Sequence, residues 1–112
     1  MMTTDISTWT KISEARVTTA NGSSYLRKLC QHWGHKFPVK YDDTHGKIDL
    51  AAGKCLLFAD ADGLTVKLVM PEDGDEARLQ QVVEEHIKRF AFREELEFAW
   101  GAVKADLPLP RV

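Results

Sequence analysis

Four histidines, His32, His35, His45 and His86, carry most of the chemistry open to this 112-residue chain. Neutral imidazole is the commonest metal ligand, and the ring titrates closest to neutrality. Histidines that converge with a carboxylate can therefore bind iron, zinc or another divalent transition metal, or exchange protons with a substrate. His32 and His35 bracket Trp33-Gly34, His45 stands in a turn beside Asp42 and Asp43, and His86 falls in an apolar-periodic stretch. The segment Arg89-Phe90-Ala91-Phe92-Arg93-Glu94-Glu95 is the second cluster. The planar fork of Arg89 and Arg93 suits a carboxylate or phosphate, and the rings between them suit a ligand rim. Both clusters also have plain structural readings. His86 can be a core histidine bonded to a carbonyl or to Glu94, with His35 and His45 on surface loops. An internal Arg–Glu pair can fix a corner while Phe90 and Phe92 enter the core.

Spacing excludes several other designs. The glycines at 22, 34, 46, 53, 63, 74 and 101 are never fewer than seven residues apart, so no glycine-rich loop cradles a phosphate or a dinucleotide. There is no Gly-x-Ser-x-Gly elbow, no His-Glu-x-x-His helix and no Cys-x-x-Cys pair. Cys30 lies on an apolar stripe and Cys55 in an apolar run, where a thiol keeps its proton and acts as a small hydrophobe.

The elements that must position these residues follow from hydrophobic period. Glu14 to Thr19 alternates and is β-branched, which predicts a strand. Asn21-Gly22 turns the chain and Ser23 or Ser24 caps a helix whose stripe is Tyr25, Leu26, Leu29, Cys30 and Trp33. Gly34 is expected as its left-handed cap, and Pro38 bars continuation. Four strands follow, over 37–41, 46–50, 55–59 and 64–70, the third of them apolar at every position. Short connections between them imply antiparallel hairpins. A second helix is expected to start over Pro71 to Asp75 and to carry the stripe Leu79, Val82, Val83, His86, Ile87, Phe90, with His86 near its middle. Leu96, Phe98 and Trp100 alternate as a last strand.

The order β-α-β-β-β-β-α-β predicts an α+β fold, an antiparallel sheet with two helices on one face. Up to the second helix the series resembles, in topology, a single repeat of the TATA-binding protein and the C-terminal domain of phosphohexomutases. Residues 1–12 are expected to be a flexible arm, 13–103 a single domain and 104–112 a proline-containing tail.

Fifteen Lys and Arg against seventeen Asp and Glu leave a net charge of −2, which argues against nucleic acid or an anionic membrane as partner. The predicted outward residues Lys47, Asp49, Thr65, Lys67 and Glu97 are a mixed set rather than a basic field with stacking rings. Charge is uneven along the chain, however: seven basic and three acidic residues over 11–47, four basic and nine acidic over 72–97. Either the helices attract one another, or a cationic flank receives an acidic ligand. The polar start Met1 to Asp5 and the two cysteines fit the cytoplasm.

Three segments, Tyr25 to Lys36, Gly46 to Leu50 and Glu85 to Leu96, resemble the bacterial family catalogued as domain of unknown function 2218. The resemblance spans roughly residues 14 to 100. It implies small cytoplasmic proteins, some fused to or encoded beside siderophore-interacting flavoproteins, and so a link to iron acquisition without an established activity. On matching positions it marks His32, His35, His86, Arg89, Arg93 and Glu94. The chain itself carries no flavin- or nicotinamide-binding segment, so any reductase role falls to a partner.

Three readings follow. The first is a non-catalytic accessory module that holds a metal chelate, a small ligand or a flavoprotein partner through the histidines and the Arg89–Glu94 corner. The second is a small enzyme with His32 or His86 as general acid–base. The third is an interaction protein, monomer or homodimer, that pairs through the uncovered sheet face or an edge strand, a reading motivated by the apolar run Cys55 to Ala59.

Overall fold

The computed structural model describes residues 11–91 and 93–103. Its elements are β1 (Lys11–Thr18), α1 (Gly22–Trp33), β2 (Val39–Tyr41), β3 (His45–Leu50), β4 (Gly53–Asp60), β5 (Gly63–Met70), α2 (Glu76–Phe90) and β6 (Ala99–Val103). The strands form one sheet in the order β2-β3-β4-β5-β1-β6, antiparallel at every junction. The α+β architecture and the element order are those expected from hydrophobic period. Of the expected arm, residues 1–10 lie outside the described residues, while Lys11 and Ile12 open β1. Phe92 and the expected tail over 104–112 also lie outside them.

Alternation decides which side chains face the helices. In β1, Ala15 and Val17 stand opposite Val66 and Leu64 of β5, and cross-strand pairs of this kind stabilise a sheet. All four are buried in the main core with Leu26, Leu29 and Trp33 of α1 and Leu79, Val83 and Ile87 of α2. The all-apolar run of β4 is explained by two covered faces. Cys55, Leu57 and Ala59 join the main core, whereas Leu56 packs with Ile12, Val69 and Phe58 in a second cluster and is only 3% exposed. Gly46 of β3 lets α1 lie close, since a Cβ there would sit 3.0 Å from Cys30 Sγ.

Element ends depart from the sequence expectations. Asn21 occupies the cap of α1 without a side-chain cap bond, so neither serine has that role. Thr19 Oγ1 instead accepts the Asn21 N–H at 3.0 Å. Gly34 is right-handed, at φ −63° and ψ −16°, and α1 closes through N–H bonds from Gly34 to Cys30 and from Lys36 and Phe37 to Trp33. The second helix starts at Glu76, not at Pro71. Gly74 N–H closes a turn onto the Pro71 carbonyl, and the Asp75 carboxylate then accepts the Arg78 N–H, the bond that defines a helix cap.

The last strand lies three residues beyond its alternating pattern. It runs where β1 has an edge to pair, from Ala99 opposite Arg16 to Val103 opposite Ile12. Leu96 is still buried, on the segment that crosses the end of the core toward that edge. No helix of the described residues is long and apolar enough to cross a membrane.

Candidate functional site

The helices touch each other on the sheet, and the groove between them gathers most of the residues with chemistry. On α2 the fully buried row is Leu79, Val83 and Ile87, so His86 lies on the flank of the stripe rather than at its middle. Val82, His86 and Phe90 form a half-buried row beside it. Ser24, Lys28 and His32 recur every fourth residue along α1, with Lys36 just past its end, and form the opposite lip.

Rings meet across this groove. The His32 and His86 centroids are 5.2 Å apart, Trp33 and His86 4.8 Å, and His32 meets Phe90 edge-on at 6.2 Å. His86 Nδ1 lies 2.7 Å from the Val82 carbonyl oxygen. A carbonyl only accepts, so Nδ1 carries the proton and Nε2 is left as acceptor or ligand. His32 is exposed. Beneath this pair opens a cavity of about 510 Å³ lined by His32, Trp33, Lys36, Phe37, Val82 and His86, with Leu50 and Leu79 at its floor.

The three expected imidazoles are not all together. His35 is exposed on the turn after α1 and is absent from the cavity lining. His45 sits at the β2–β3 turn, beside a hollow of about 510 Å³ whose only carboxylate, Asp42, is engaged by the Thr44 and His45 amides. Among the described residues no three His, Cys, Asp or Glu side chains converge on a point that could hold a metal ion. Two imidazoles are fewer than the three or four protein ligands of a resident zinc site. The pair fits a ligand that brings donors of its own, or a proton exchange with a bound molecule.

Of Arg89, Arg93 and Glu94, only the last two line a common cavity. Arg89 is exposed on the outer side of α2. Ala91 N–H bonds back to Ile87 and Lys88, Glu94 N–H bonds to Ala91, and this turn brings the Glu94 side chain over the start of α1. Its carboxylate accepts from Thr19 Oγ1 at 3.0 and 3.1 Å, from Asn21 Nδ2 at 2.9 Å, and from the Tyr25 hydroxyl. Arg89 is not among these partners, so an internal Arg89–Glu94 pair does not fix the corner. The Tyr25 and Asn21 donors, with Thr19 beside them, hold the Glu94 carboxyl below the usual glutamate range. Burial, followed by the neighbouring Glu94 carboxylate, pushes the Tyr25 phenol up. Next to this knot lies a second cavity of about 490 Å³, lined by Ser24, Lys28, Phe90, Arg93 and Glu94 among others.

Thr19, Asn21, Tyr25, Trp33, Lys28 and Lys36 belong to the site although sequence reasoning did not single them out for it. For the two lysines a signal existed, the fourth-residue ladder through His32. Burial raises the Cys30 thiol to about 12 and Cys55 higher still, so neither is a nucleophile.

A family model described as "Uncharacterized protein conserved in bacteria (DUF2218)" matches residues 14–101. The structure is similar to the "NMR structure of PA4090 from Pseudomonas aeruginosa", with 37% sequence identity and a TM-score of 0.69 over 81% of this chain and 95% of that one. No curated protein matches the chain.

Proposed function

Because the chain belongs to the bacterial DUF2218 family, we propose that it is a non-catalytic accessory module that binds a metal chelate in the groove between α1 and α2, in siderophore and iron utilisation. The observation that carries this reading is the His32–His86 pair, 5.2 Å apart over an aromatic cavity with Lys36 at its mouth. Half-buried Phe37 offers an apolar ring to an aromatic ligand, the imidazoles offer two exchangeable donors, and the ammonium offers charge. The chelating ligand supplies the metal's donors itself, and the imidazoles meet its oxygens as hydrogen-bond partners. Redox chemistry belongs to a separate partner, for which the resemblance suggests a siderophore-interacting flavoprotein. The chain has no glycine-rich loop with which to hold a flavin or nicotinamide phosphate. In this reading the module works in the reducing cytoplasm, where two buried thiols stay reduced.

The test is a calorimetric titration of untagged full-length protein with a ferric tris-catecholate complex, read in parallel by tryptophan fluorescence. Saturable binding is expected, with affinity falling about tenfold or more, or about 1.4 kcal/mol, when His32 and His86 are both changed to Ala. Trp33→Phe should abolish most of the fluorescence change and leave the heat signal. Absence of saturable heat in the unmodified protein, or undiminished affinity in the double variant, overturns the reading.

A further inference from the structure

We infer that the α1–α2 groove selects its ligand by negative charge and takes an aromatic polyanion in preference to a neutral molecule of the same shape. The inference rests on the reading of this groove as a ligand site. It is drawn from the balance of charge around the two cavities, which Phe90 and His32 separate at 6.2 Å. Lys28 and Arg93 stand at one cavity and Lys36 at the other. Lys28 and Lys36 are exposed and have no carboxylate partner among the described residues.

Glu94 is the single carboxylate in either lining; its donors Thr19, Asn21 and Tyr25 are neutral, so it keeps its negative charge, which Lys28 and Lys36 together outweigh. The acids of α2 do not reach the groove. Glu84 accepts from Lys88 and from Trp100 Nε1, Glu85 accepts from Gln81, and Glu76 bonds Ser13 on β1. No ion pair among the described residues joins α1 to α2, so the attraction between helices that the uneven charge allowed is not what holds them. On the sheet, Lys54 pairs with Asp49 and Lys67 with Glu14, which offsets those two charges. The groove therefore combines two exposed lysines that have no carboxylate partner among the described residues, aromatic rings and concave walls. That combination raises the local concentration of anions and leaves neutral ligands indifferent.

The experiment compares two ferric complexes of similar size, a trianionic tris-catecholate and a neutral tris-hydroxamate, titrated into the full chain and into a Lys28→Gln/Lys36→Gln variant. The native protein should prefer the trianion by about tenfold, and the preference should collapse when salt rises from about 0.1 M to about 1 M, as the screening length falls from ~10 Å to ~3 Å. In the double variant the trianion should lose most of that tenfold while any binding of the neutral complex is unchanged. Both positions are exposed, and circular dichroism checks that the fold is intact. Equal binding of both complexes, or a preference that survives the double variant, overturns charge selection and leaves the chelate reading standing. Failure of both complexes to bind removes the chelate reading, and charge selection with it.

Discussion

Replacing Glu94 by Gln tests how the segment leading out of α2 is fastened over the start of α1. The carboxylate receives three side-chain donors, from Thr19, Asn21 and Tyr25, and Thr19 is itself buried. Gln keeps the shape and one carbonyl oxygen, so the geometry survives while charge assistance is lost. Hydrogen bonds to charged groups contribute about 1.5–3 kcal/mol against about 0.5–1.5 for neutral ones. Over three bonds, discounted because Glu94 is only half-buried, the expected loss is about 2 kcal/mol. For a domain of this size that lowers Tm by roughly 8 °C. The measurement is urea denaturation at neutral pH, with the midpoint shifted and the m-value unchanged.

The pH dependence has a definite sign. Glu94 has a folded-state pKa lowered from the ordinary 4.5. Its contribution is therefore present above that value and disappears as pH falls through the lower folded pKa. The gap between native protein and Glu94→Gln should be constant above about pH 5 and should narrow on acidification. A double-mutant cycle with Tyr25→Phe should show coupling of about 1 kcal/mol. A Glu94→Gln protein as stable as the native one, or a gap that widens in acid, refutes the account of this corner.

Two further outcomes follow from the packing. At pH 8 neither Cys30 nor Cys55 should react with a disulfide reagent in the native protein, while both react once it is unfolded in denaturant, because burial holds the Cys30 thiol up near 12 and Cys55 higher. Fast native-state labelling would contradict it. Gly22→Ala should destabilise by about 2 kcal/mol in a thermal melt, since its Cβ would lie 2.6 Å from the Gly63 carbonyl oxygen and backbone there has no room to give. A neutral or stabilising effect would mean that α1 does not approach the β4–β5 turn so closely.

Much of the fold was legible in the chain. The stripes Tyr25-Leu26-Leu29-Cys30-Trp33 and Leu79-Val83-Ile87 are buried as their spacing requires. The strands expected over 14–19, 46–50 and 64–70 are found as Lys11–Thr18, His45–Leu50 and Gly63–Met70, and the apolar run of β4 does have two covered faces. Boundaries were less legible, for identifiable reasons. Gly34 permits a left-handed cap but does not require one, and the bonds from Lys36 and Phe37 closed the helix without it. Leu96, Phe98 and Trp100 alternate whether or not a neighbouring strand is present. Only the edge of β1 decides that pairing begins at Ala99.

The site divides along the same line. That His32 and His86 lie on amphipathic helices follows from local period, a property of each segment alone, whereas the common sheet face that both helices cover is set by the tertiary structure. Which rings then meet is a matter of where the two helices lie on the sheet. That placement brings His86 against Trp33 and His32 and leaves His35 outside. Glu94 likewise binds Tyr25, Asn21 and Thr19 rather than Arg89 because a turn at Ala91 points it inward while Arg89 stays exposed on α2. Residue spacing determines the faces of each element, but distances between elements far apart in the chain arise only when the core closes. Contacts between side chains on different helices are therefore decided by the tertiary structure.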